Sequence, residues 1–412
     1  MSEQRRWTCG WAIWASVSAW SLGACWAPDI GAADPPTAAP APTPASMPAP
    51  RNPVRLVLPR EVPAVVGVEV NIYFDNLVLA RAGRYEFDVI CNQGRQQAER
   101  WTWTPTAADV GVHEWSIEVR GDDEQAAARG TTKIRVAAAD AARDREWQWL
   151  AVGDSLTHAS EYPRHALGLS RVEGGPRLSL VGSFGPDEPL GEIRHEGFGG
   201  WTAHRFVTHY TPHARKGDYR QRGSPFLYAV GDAPPQLDFA RYCHDVNGGK
   251  TPDFVTIFLG PNDVFAATEE TQEKTIDGML EHLERLVVMF RSASPAPRVG
   301  VLLPVPPAAS QDAFGANYGS GQTRWQYRRN QHRLVEKLLD RYGRDGASDS
   351  GVDLVPTHLA LDCVHNYPTA SGPANARAAA AIERQDNGVH PSASGYRQIG
   401  DAVYAWMLNT VR

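Results

Sequence analysis

Cysteine is scarce in this chain, with five residues in 412. Cys9 and Cys25 fall in an apolar N-terminal segment, and Cys91, Cys243 and Cys363 are far apart in the sequence. Their separation excludes a zinc site of the paired Cys-x-x-Cys kind. The last three are either free thiols or include one disulfide between Cys243 and Cys363. Because the count is odd, at least one thiol stays unpaired unless it bonds to another chain.

An excess of basic residues is also missing. The chain has 41 Lys and Arg against 47 Asp and Glu, which gives a net charge of -6. Nucleic-acid binding needs clustered positive charge, so no nucleic-acid partner is expected. A phosphate-binding Gly-rich loop with Lys and a His-Glu-x-x-His motif are absent, and neither an NTPase nor a zinc protease is indicated. We therefore expect no cofactor and no metal.

The N-terminus has the pattern of an export signal. Arg5 and Arg6 precede a largely apolar run over 7–27, and small residues lead to a cleavage site after Ala33. We expect a signal peptide over 1–33 and a periplasmic, extracellular or envelope-associated protein. A second interpretation is a lipid anchor on Cys25, because Leu-Gly-Ala-Cys at 22–25 resembles a bacterial lipobox. No later run is long enough to span a bilayer.

Two folded parts follow a Pro/Ala-rich linker over 34–53. Residues 54–137 alternate polar and apolar side chains in short segments, which predicts a small all-β sandwich. The predicted strands are 54–58, 68–74, 85–89, 101–103, 113–119 and 131–136. The Trp and Tyr side chains of this part either pack in its core or bind carbohydrate. By default it is a spacer or a support for a lid.

Residues 146–412 alternate apolar strands with amphipathic helices, which predicts a parallel three-layer α/β sheet. The predicted strands are 147–153, 178–182, 252–260, 298–303 and 352–361. The predicted helices are 162–169, 201–210, 271–291, 324–342 and 394–408. Residues 252–260 form the clearest strand, because a continuous apolar run bounded by turns is typical of a strand buried on both faces.

Four sequence blocks occur in order within this second part. They are Gly-Asp-Ser-Leu at 153–156, Gly-Phe-Gly-Gly at 197–200, Gly-Pro-Asn-Asp at 260–263 and Gly-Val-His-Pro at 388–391. Together they resemble the SGNH (GDSL-type) hydrolase family, whose pattern has Ser, Gly, Asn and His in four such blocks. The resemblance covers roughly 147–412 and leaves the first third of the chain unexplained.

The resemblance implies a serine mechanism. Ser155 would be the nucleophile, and His390 the base that a hydroxyl needs at neutral pH. During acyl transfer, negative charge develops on the carbonyl oxygen of the ester. Each hydrogen-bond donor already positioned for that charge stabilises the transition state by about 3–4 kcal/mol. In the family these donors are the main-chain N–H of the serine, the main-chain N–H of a glycine and the side-chain amide of an Asn. The corresponding residues here are Ser155, Gly200 and Asn262. Gly199 is the alternative to Gly200.

The base also needs an acceptor on its second nitrogen, and here the chain departs from the family. Asn387 stands three residues before His390, where the family has Asp, and Asp386 is one residue further back. We assign Asp386 as the orienting acid. The alternatives are Asn387 or a main-chain carbonyl in a Ser-His dyad, and Asp362 as a more distant acid.

The fold implied is a flavodoxin-like SGNH domain rather than an α/β-hydrolase. Thr157 stands at the position of the last Gly in the Gly-x-Ser-x-Gly nucleophile elbow of α/β-hydrolases, and Ser155 follows the first strand of its domain. Residues 304–329 form an insertion rich in polar and aromatic groups. This insertion is either an ordinary surface loop and helix start or part of the substrate site, where its composition suits a polar ester more than a long acyl chain.

These features predict an exported esterase that removes a small acyl group, acetyl, from a carbohydrate or a similar polar ester. A lipase or lysophospholipase is the alternative enzyme. A cell-envelope carbohydrate-binding protein without turnover is the alternative outside catalysis.

Overall fold

A computed structural model describes residues 54–79, 85–121, 126–212, 218–343 and 351–411. The predicted signal peptide, the possible anchor at Cys25 and the Pro/Ala-rich linker lie outside the described residues.

The first described part is built of β-strands, with one 3-10 turn at Ala107–Asp109 and the short helix α1 at Phe74–Leu77. The strands are β1 Glu61–Val65, β2 Val70–Tyr73, β3 Glu86–Ile90, β4 Arg95–Gln96, β5 Arg100–Trp103, β6 Gly111–Arg120 and β7 Ala126–Ala137. One sheet has the order β1-β7-β6-β3, and a second sheet has the order β2-β5-β4.

The two sheets share one hydrophobic core. Trp101 and Trp103 from β5 pack with Trp115 from β6, and the indoles of Trp101 and Trp115 lie 6.2 Å apart edge to face. Alternate residues of β6 and β7 are buried, as the period-two pattern requires. The prediction of an all-β part is therefore confirmed, and its tryptophans are largely core residues.

Two details of this part differ from the prediction. Residues 54–58 form no strand, and Glu61–Val65, which was not predicted, pairs in parallel with β7. The strand was not predicted because it contains Pro63, and proline has no N–H to donate to a neighbouring strand. The residue is tolerated here because β1 is an edge strand.

The second part alternates strands and helices. Its strands are β8 Glu146–Gly153, β9 Arg177–Val181, β10 Glu196–Gly197, β11 Leu227–Tyr228, β12 Gln236–Leu237, β13 Phe254–Phe258, β14 Arg298–Leu302, β15 Val352–Val355, β16 Thr369–Asn375 and β17 Ala378–Gln385. Its helices are α2 Ser155–His158, α3 Glu161–Leu169, α4 Ala203–Thr208, α5 Phe239–Asn247, α6 Pro261–Val264, α7 Gln272–Arg291, α8 Asp312–Tyr318, α9 Arg324–Tyr342, α10 Thr357–Ala360 and α11 Ala393–Asn409.

The main sheet is parallel and has the flavodoxin-like order. β8 pairs with β9 and β10 on one side and with β13 on the other, followed by β14 and β15. All residues of β13 are buried, as its continuous apolar run predicted. In this topology the strand order reverses between β8 and β13, and ligands bind where the carboxyl ends of those strands diverge.

Helices cover both faces of this sheet. One core cluster joins the sheet to α4, α5, α7 and α9, and another joins it to α3 and α11. Tyr162 of α3 and Ile399 of α11 are fully buried on one face, and Tyr242 of α5 and Ile276 of α7 on the other. The predicted three-layer flavodoxin-like fold is confirmed.

The region between β15 and α11 differs most from the prediction. The strand predicted over 352–361 ends at Val355, and Thr357–Ala360 is helical. β16 and β17 then form an antiparallel hairpin that the sequence did not reveal. Most of its side chains are exposed, so the core imposes no apolar alternation on it.

Contact between the two parts is direct. Asn409 of α11 donates from Nδ2 to the carbonyl of Ala64 in β1 at 2.9 Å, and Leu359 joins the core of the β-rich part. Residues Asn52–Arg412 form one compact unit.

Cys91, Cys243 and Cys363 are free thiols, so the predicted alternative of a disulfide between Cys243 and Cys363 is wrong. Of the helices in the described ranges, none combines the length and apolarity needed to cross a membrane.

Candidate active site

Ser155 lies at the point where the strand order reverses. It is the first residue of α2, directly after β8, and Asn262 lies in α6, after the neighbouring strand β13. Asp154 caps α2 by accepting the N–H of Leu156 on Oδ1 at 2.9 Å. A Cβ on Gly153 would collide with Thr157 and with the main-chain oxygen of Phe258, so the turn that presents Ser155 requires glycine.

His390 comes to Ser155 from the opposite end of the domain. Its Nε2 lies 2.8 Å from Ser155 Oγ, although 235 residues separate the two in sequence. His390 stands in the loop before α11, and Asn387 shapes that loop. The Oδ1 of Asn387 accepts the N–H of Val389 at 3.1 Å and the N–H of His390 at 2.9 Å. The two residues that the sequence pairs as nucleophile and base are therefore in hydrogen-bond contact.

The imidazole is held in the form that a base needs. Burial lowers the pKa of His390, and the neighbouring His158 lowers it further. Burial disfavours the charged ring, so the neutral ring persists below the pH at which an exposed histidine takes up its proton. A neutral ring is the state that accepts the hydroxyl proton of Ser155.

The predicted acid is not brought together with this imidazole. Within the described chain, no hydrogen bond or ion pair joins Asp386 to His390; the main-chain N–H of Asp386 donates to the carbonyl of Pro368 at 3.0 Å. Asp362 has another partner, because its Oδ2 lies 3.0 Å from Nδ1 of His365. The turn around Asp362 repeats that of Asn387, since its Oδ1 accepts the N–H groups of the second and third residues on.

Each of the three predicted oxyanion donors has an N–H that no described acceptor occupies. The N–H of Ser155 is the first of a helix and has no intrahelical partner. The N–H of Gly200 donates to no described residue, and Gly200 has a φ of +76° with open space where a Cβ would be. Asn262 donates one amide N–H to the carbonyl of Trp201 at 3.1 Å, and its second N–H has no acceptor among the described residues. Gly199 is less suited, because a Cβ there would meet Tyr219 Oη at 3.0 Å.

The loops that carry these donors are tied to one another. Asp263 accepts the N–H of Ala203 on Oδ1 at 2.9 Å, which joins the loop after β13 to the start of α4. Burial raises the pKa of both Asp154 and Asp263 to about 7. Each of these carboxyl groups has an Oδ2 that is buried without a hydrogen-bond partner among the described residues.

A buried histidine that the sequence did not single out fixes the glycine-rich loop. His195 accepts the N–H of Gly197 on Nδ1 at 3.0 Å, so its Nε2 carries the proton and donates to Ser160 Oγ at 2.8 Å. Burial lowers the pKa of His195 to about 3, which keeps the ring neutral. Ser160 in turn donates to the carbonyl of His158 at 3.1 Å. This chain of contacts joins the loop to the segment after Ser155.

His158 is a further residue that the sequence analysis missed. It lies one helical turn after Ser155, a spacing that was a usable signal. Its ring lies 4.5 Å from that of Tyr219 and stacks on Phe184 at 5.1 Å, and burial lowers its pKa. His158 is neutral for the same physical reason as His390.

The insertion over 304–329 supports the histidine loop. Phe314 of α8 and Tyr327 of α9 form a small core with Val389, the residue before His390. A Cβ on Gly388 would touch the ring of Phe314, and the N–H of Ala308 donates to the carbonyl of Gly388 at 3.1 Å. The aromatic groups of this insertion therefore position the loop.

Among the described residues, no cluster of three or more His, Cys, Asp or Glu side chains is placed to hold a metal ion.

This fold and this pair of residues define an SGNH-type hydrolase. The model of the GDSL-like lipase/acylhydrolase family matches residues 150–403. The chain belongs to this family, and its activity is that of a carboxylic ester hydrolase. Among curated proteins, none matches the sequence significantly.

Several solved structures resemble the chain at low identity. A carbohydrate acetylesterase family member from Sinorhizobium meliloti is 14% identical, over 64% of this chain and 99% of that one, with a TM-score of 0.37. A family 3 carbohydrate esterase from Clostridium thermocellum is 16% identical, over 65% and 98%, with a TM-score of 0.35. An acetylxylan esterase from Geobacillus stearothermophilus is 14% identical, over 64% and 94%, with a TM-score of 0.31.

Proposed function

We propose that this protein is an exported serine esterase that removes acetyl or another small acyl group from a carbohydrate or a similar polar ester. The observation that carries the proposal is the 2.8 Å contact between His390 Nε2 and Ser155 Oγ at the point where the strand order reverses. A hydroxyl in contact with a neutral, half-buried imidazole is the arrangement that activates a serine.

In the proposed reaction, Ser155 Oγ attacks the ester carbonyl carbon while its proton passes to His390 Nε2. The N–H groups of Ser155 and Gly200 and the side-chain amide of Asn262 stabilise the oxyanion. The intermediate collapses as His390 returns the proton to the departing alcohol, which leaves an acyl group on Ser155. Water then attacks this acyl-enzyme with His390 again as base, and the acid and the free serine are released.

We propose that the site works as a Ser-His dyad, with Asn387 holding the histidine loop. The support is that Asn387 accepts two main-chain N–H groups of that loop at 3.1 and 2.9 Å, whereas Asp386 contacts no atom of His390 by hydrogen bond in the described chain. In such a dyad the ring is oriented by its loop and by burial. Its stabilisation as an imidazolium is then weaker than in a triad.

The preference for a small acyl group is supported by the side chains around the pair. His158, one helical turn after Ser155, packs against Tyr219, and an added Cβ on Gly199 would meet Tyr219 Oη at 3.0 Å. Aromatic and polar groups packed this closely suit a short acyl chain, because a long one needs an apolar trough.

Hydrolysis of p-nitrophenyl acetate and p-nitrophenyl palmitate by the whole protein tests this proposal. We expect turnover of the acetate, a far lower rate on the palmitate, and labelling of Ser155 by a fluorophosphonate probe. Ser155→Ala should abolish both turnover and labelling, and Ser371→Ala, which changes an exposed serine of β16, should retain both. A wild-type protein that is neither labelled nor active would favour the envelope carbohydrate-binding protein, and faster palmitate hydrolysis would favour the lipase.

We also propose export through residues 1–33, supported by the basic start, the apolar run and the small residues before the cleavage site. N-terminal sequencing of the mature protein tests it. A start at Asp34 is expected, a lipid-modified Cys25 would indicate the anchored form, and an intact Met1 would contradict export.

A further inference from the structure

A polar groove lies where the β-rich part meets the hydrolase sheet, and we call it the seam groove. It has a volume of about 420 Å³ and is open to solvent. Glu69, Tyr73 and Arg100 line it from the β-rich part, and Asp362, His365 and Gln398 line it from the hydrolase part. Its volume falls within the roughly 300–1,000 Å³ of ordinary ligand sites. The proposed reaction at Ser155 uses none of these residues.

The side chains of the groove are fixed before any ligand arrives. Arg100 Nη1 donates to Glu69 Oε1 and to Tyr73 Oη, each at 3.1 Å. Tyr73 Oη donates across the seam to Asp362 Oδ2 at 3.3 Å, and Gln398 Nε2 donates to Tyr73 Oη at 3.4 Å. The network thus crosses from one part of the chain to the other. Preorganised polar groups lose little conformational entropy when a ligand binds.

Several donors and acceptors of this network remain open to a ligand. His365 binds Asp362 through Nδ1 at 3.0 Å, and its side chain is 66% exposed, so its Nε2 is available. Arg100 donates from Nε to Gln97 Oε1 at 2.9 Å and from Nη1 to its other partners, which leaves Nη2 without a hydrogen bond to any described residue. The groove thus offers separate donors and acceptors within a small space.

The charge of the groove selects the class of ligand. Among its described lining residues, three carboxyl groups, those of Glu69, Glu99 and Asp362, face one guanidinium, that of Arg100. This excess of negative charge disfavours phosphate, uronate and other anions. No described set of three or more metal-ligating side chains is placed to hold a metal ion. A neutral ligand with many hydroxyl groups satisfies the alternating donors and acceptors, and a sugar is such a ligand.

The seam groove is connected to the histidine loop. The carbonyl of Asn366, another lining residue, accepts the N–H of Ser392 at 2.9 Å, two residues after His390. Gln398 lies in α11, the helix that follows the same loop. Its Oε1 accepts the main-chain N–H of Asp362 at 2.8 Å and the side-chain amide of Asn366 at 2.9 Å. A glycan held in the groove therefore lies beside the segment that carries the base.

We propose that the seam groove is a second carbohydrate-binding site, which holds a neutral sugar residue of the glycan whose ester is hydrolysed at Ser155; this inference rests on the proposed esterase function. The β-rich part then contributes to substrate binding through Glu69, Tyr73 and Arg100, while its buried tryptophans form the core. A substrate longer than one sugar gains affinity from the groove, and a small synthetic ester does not reach it.

The test uses the full chain with His365→Ala, which removes an exposed side chain from the groove. His244→Ala is the matched control, because His244 is also exposed, at 82%, and also lies beside a carboxylate, Asp245, at 3.2 Å. Loss of one or two hydrogen bonds to a sugar lowers affinity about tenfold. We expect His365→Ala to raise KM for an acetylated neutral oligosaccharide about tenfold, relative to p-nitrophenyl acetate, and His244→Ala to leave that ratio unchanged.

Calorimetry separates this inference from the proposed function. Unesterified xylo- and cello-oligosaccharides are titrated into Ser155→Ala and into Ser155→Ala/His365→Ala. Binding by the first protein that weakens about tenfold in the second supports the groove even if no esterase activity is found. Equal binding by both, or tighter binding of an oligogalacturonate than of the neutral sugars, would overturn the inference, while activity on p-nitrophenyl acetate would leave the proposed function standing.

Discussion

The residue that controls His390 can be identified by comparing Asn387→Ala with Asp386→Ala. Asn387→Ala removes the acceptor of two main-chain N–H groups, those of Val389 and His390. Each unsatisfied N–H in a partly buried loop costs roughly 1–3 kcal/mol. Asp386→Ala removes a side chain without a hydrogen bond to His390 and keeps the main-chain bond of residue 386 to Pro368.

If about 2–3 kcal/mol of that loss appears in the transition state, kcat falls about 30- to 160-fold in Asn387→Ala. We expect a change within about threefold in Asp386→Ala, because a surface substitution away from such contacts is worth about 0.5 kcal/mol. The assay is kcat on p-nitrophenyl acetate well below the Tm of each variant, so that unfolding does not contribute.

Asn387→Asp is the matched control, because a carboxylate oxygen can accept the same two N–H groups. It should retain most of the activity that Asn387→Ala loses. A loss of 100-fold or more in Asp386→Ala, with Asn387→Ala near wild type, would refute the dyad and restore Asp386 as the orienting acid.

Two further predictions concern the histidine and the sheet. Burial and His158 lower the pKa of His390, and only the neutral ring acts as a base. As the pH is lowered, kcat/KM should therefore fall with a midpoint below pH 6.5, and a midpoint above pH 6.5 would contradict this. Gly300→Ala should reduce the free energy of unfolding by about 1–3 kcal/mol, since its Cβ would lie 2.7 Å from the Trp406 ring. Gly315→Ala, with nothing within 4 Å of the added Cβ, is the control in urea unfolding, and equal midpoints for both variants would show that the contact is not tight.

The sequence predicted the parts of the molecule in which local pattern and burial coincide. β13 is buried on all sides and was recognised from an uninterrupted apolar run. The helix predicted over 324–342 has the observed bounds of α9, because Thr323 caps it and its apolar residues recur at helical spacing. The hairpin of β16 and β17 escaped prediction because its side chains face solvent on both sides.

The four blocks named the candidate residues, yet the relations among them depend on long-range contacts. His195 and Ser160 support the glycine-rich loop through a buried bond between residues 35 positions apart, and the blocks gave no sign of it. Likewise, the seam groove unites Tyr73 with Asp362, 289 positions away. Hydrophobic periodicity reports which face of an element is buried, and it carries no information on which polar groups meet.

By itself, the sequence determined the β-rich and α/β parts, the main strands and helices of the parallel sheet, the family, and Ser155, His390, Gly200 and Asn262 as candidate site residues. Only the tertiary structure decided that Ser155 and His390 touch, at 2.8 Å, and that Asn387 rather than Asp386 holds the histidine loop. The physical reason is the sequence separation over which each kind of interaction acts. Burial and backbone propensity act on neighbouring residues and leave a pattern in the chain, whereas a hydrogen bond between distant side chains depends on positions that only the packed sheet and its loops fix.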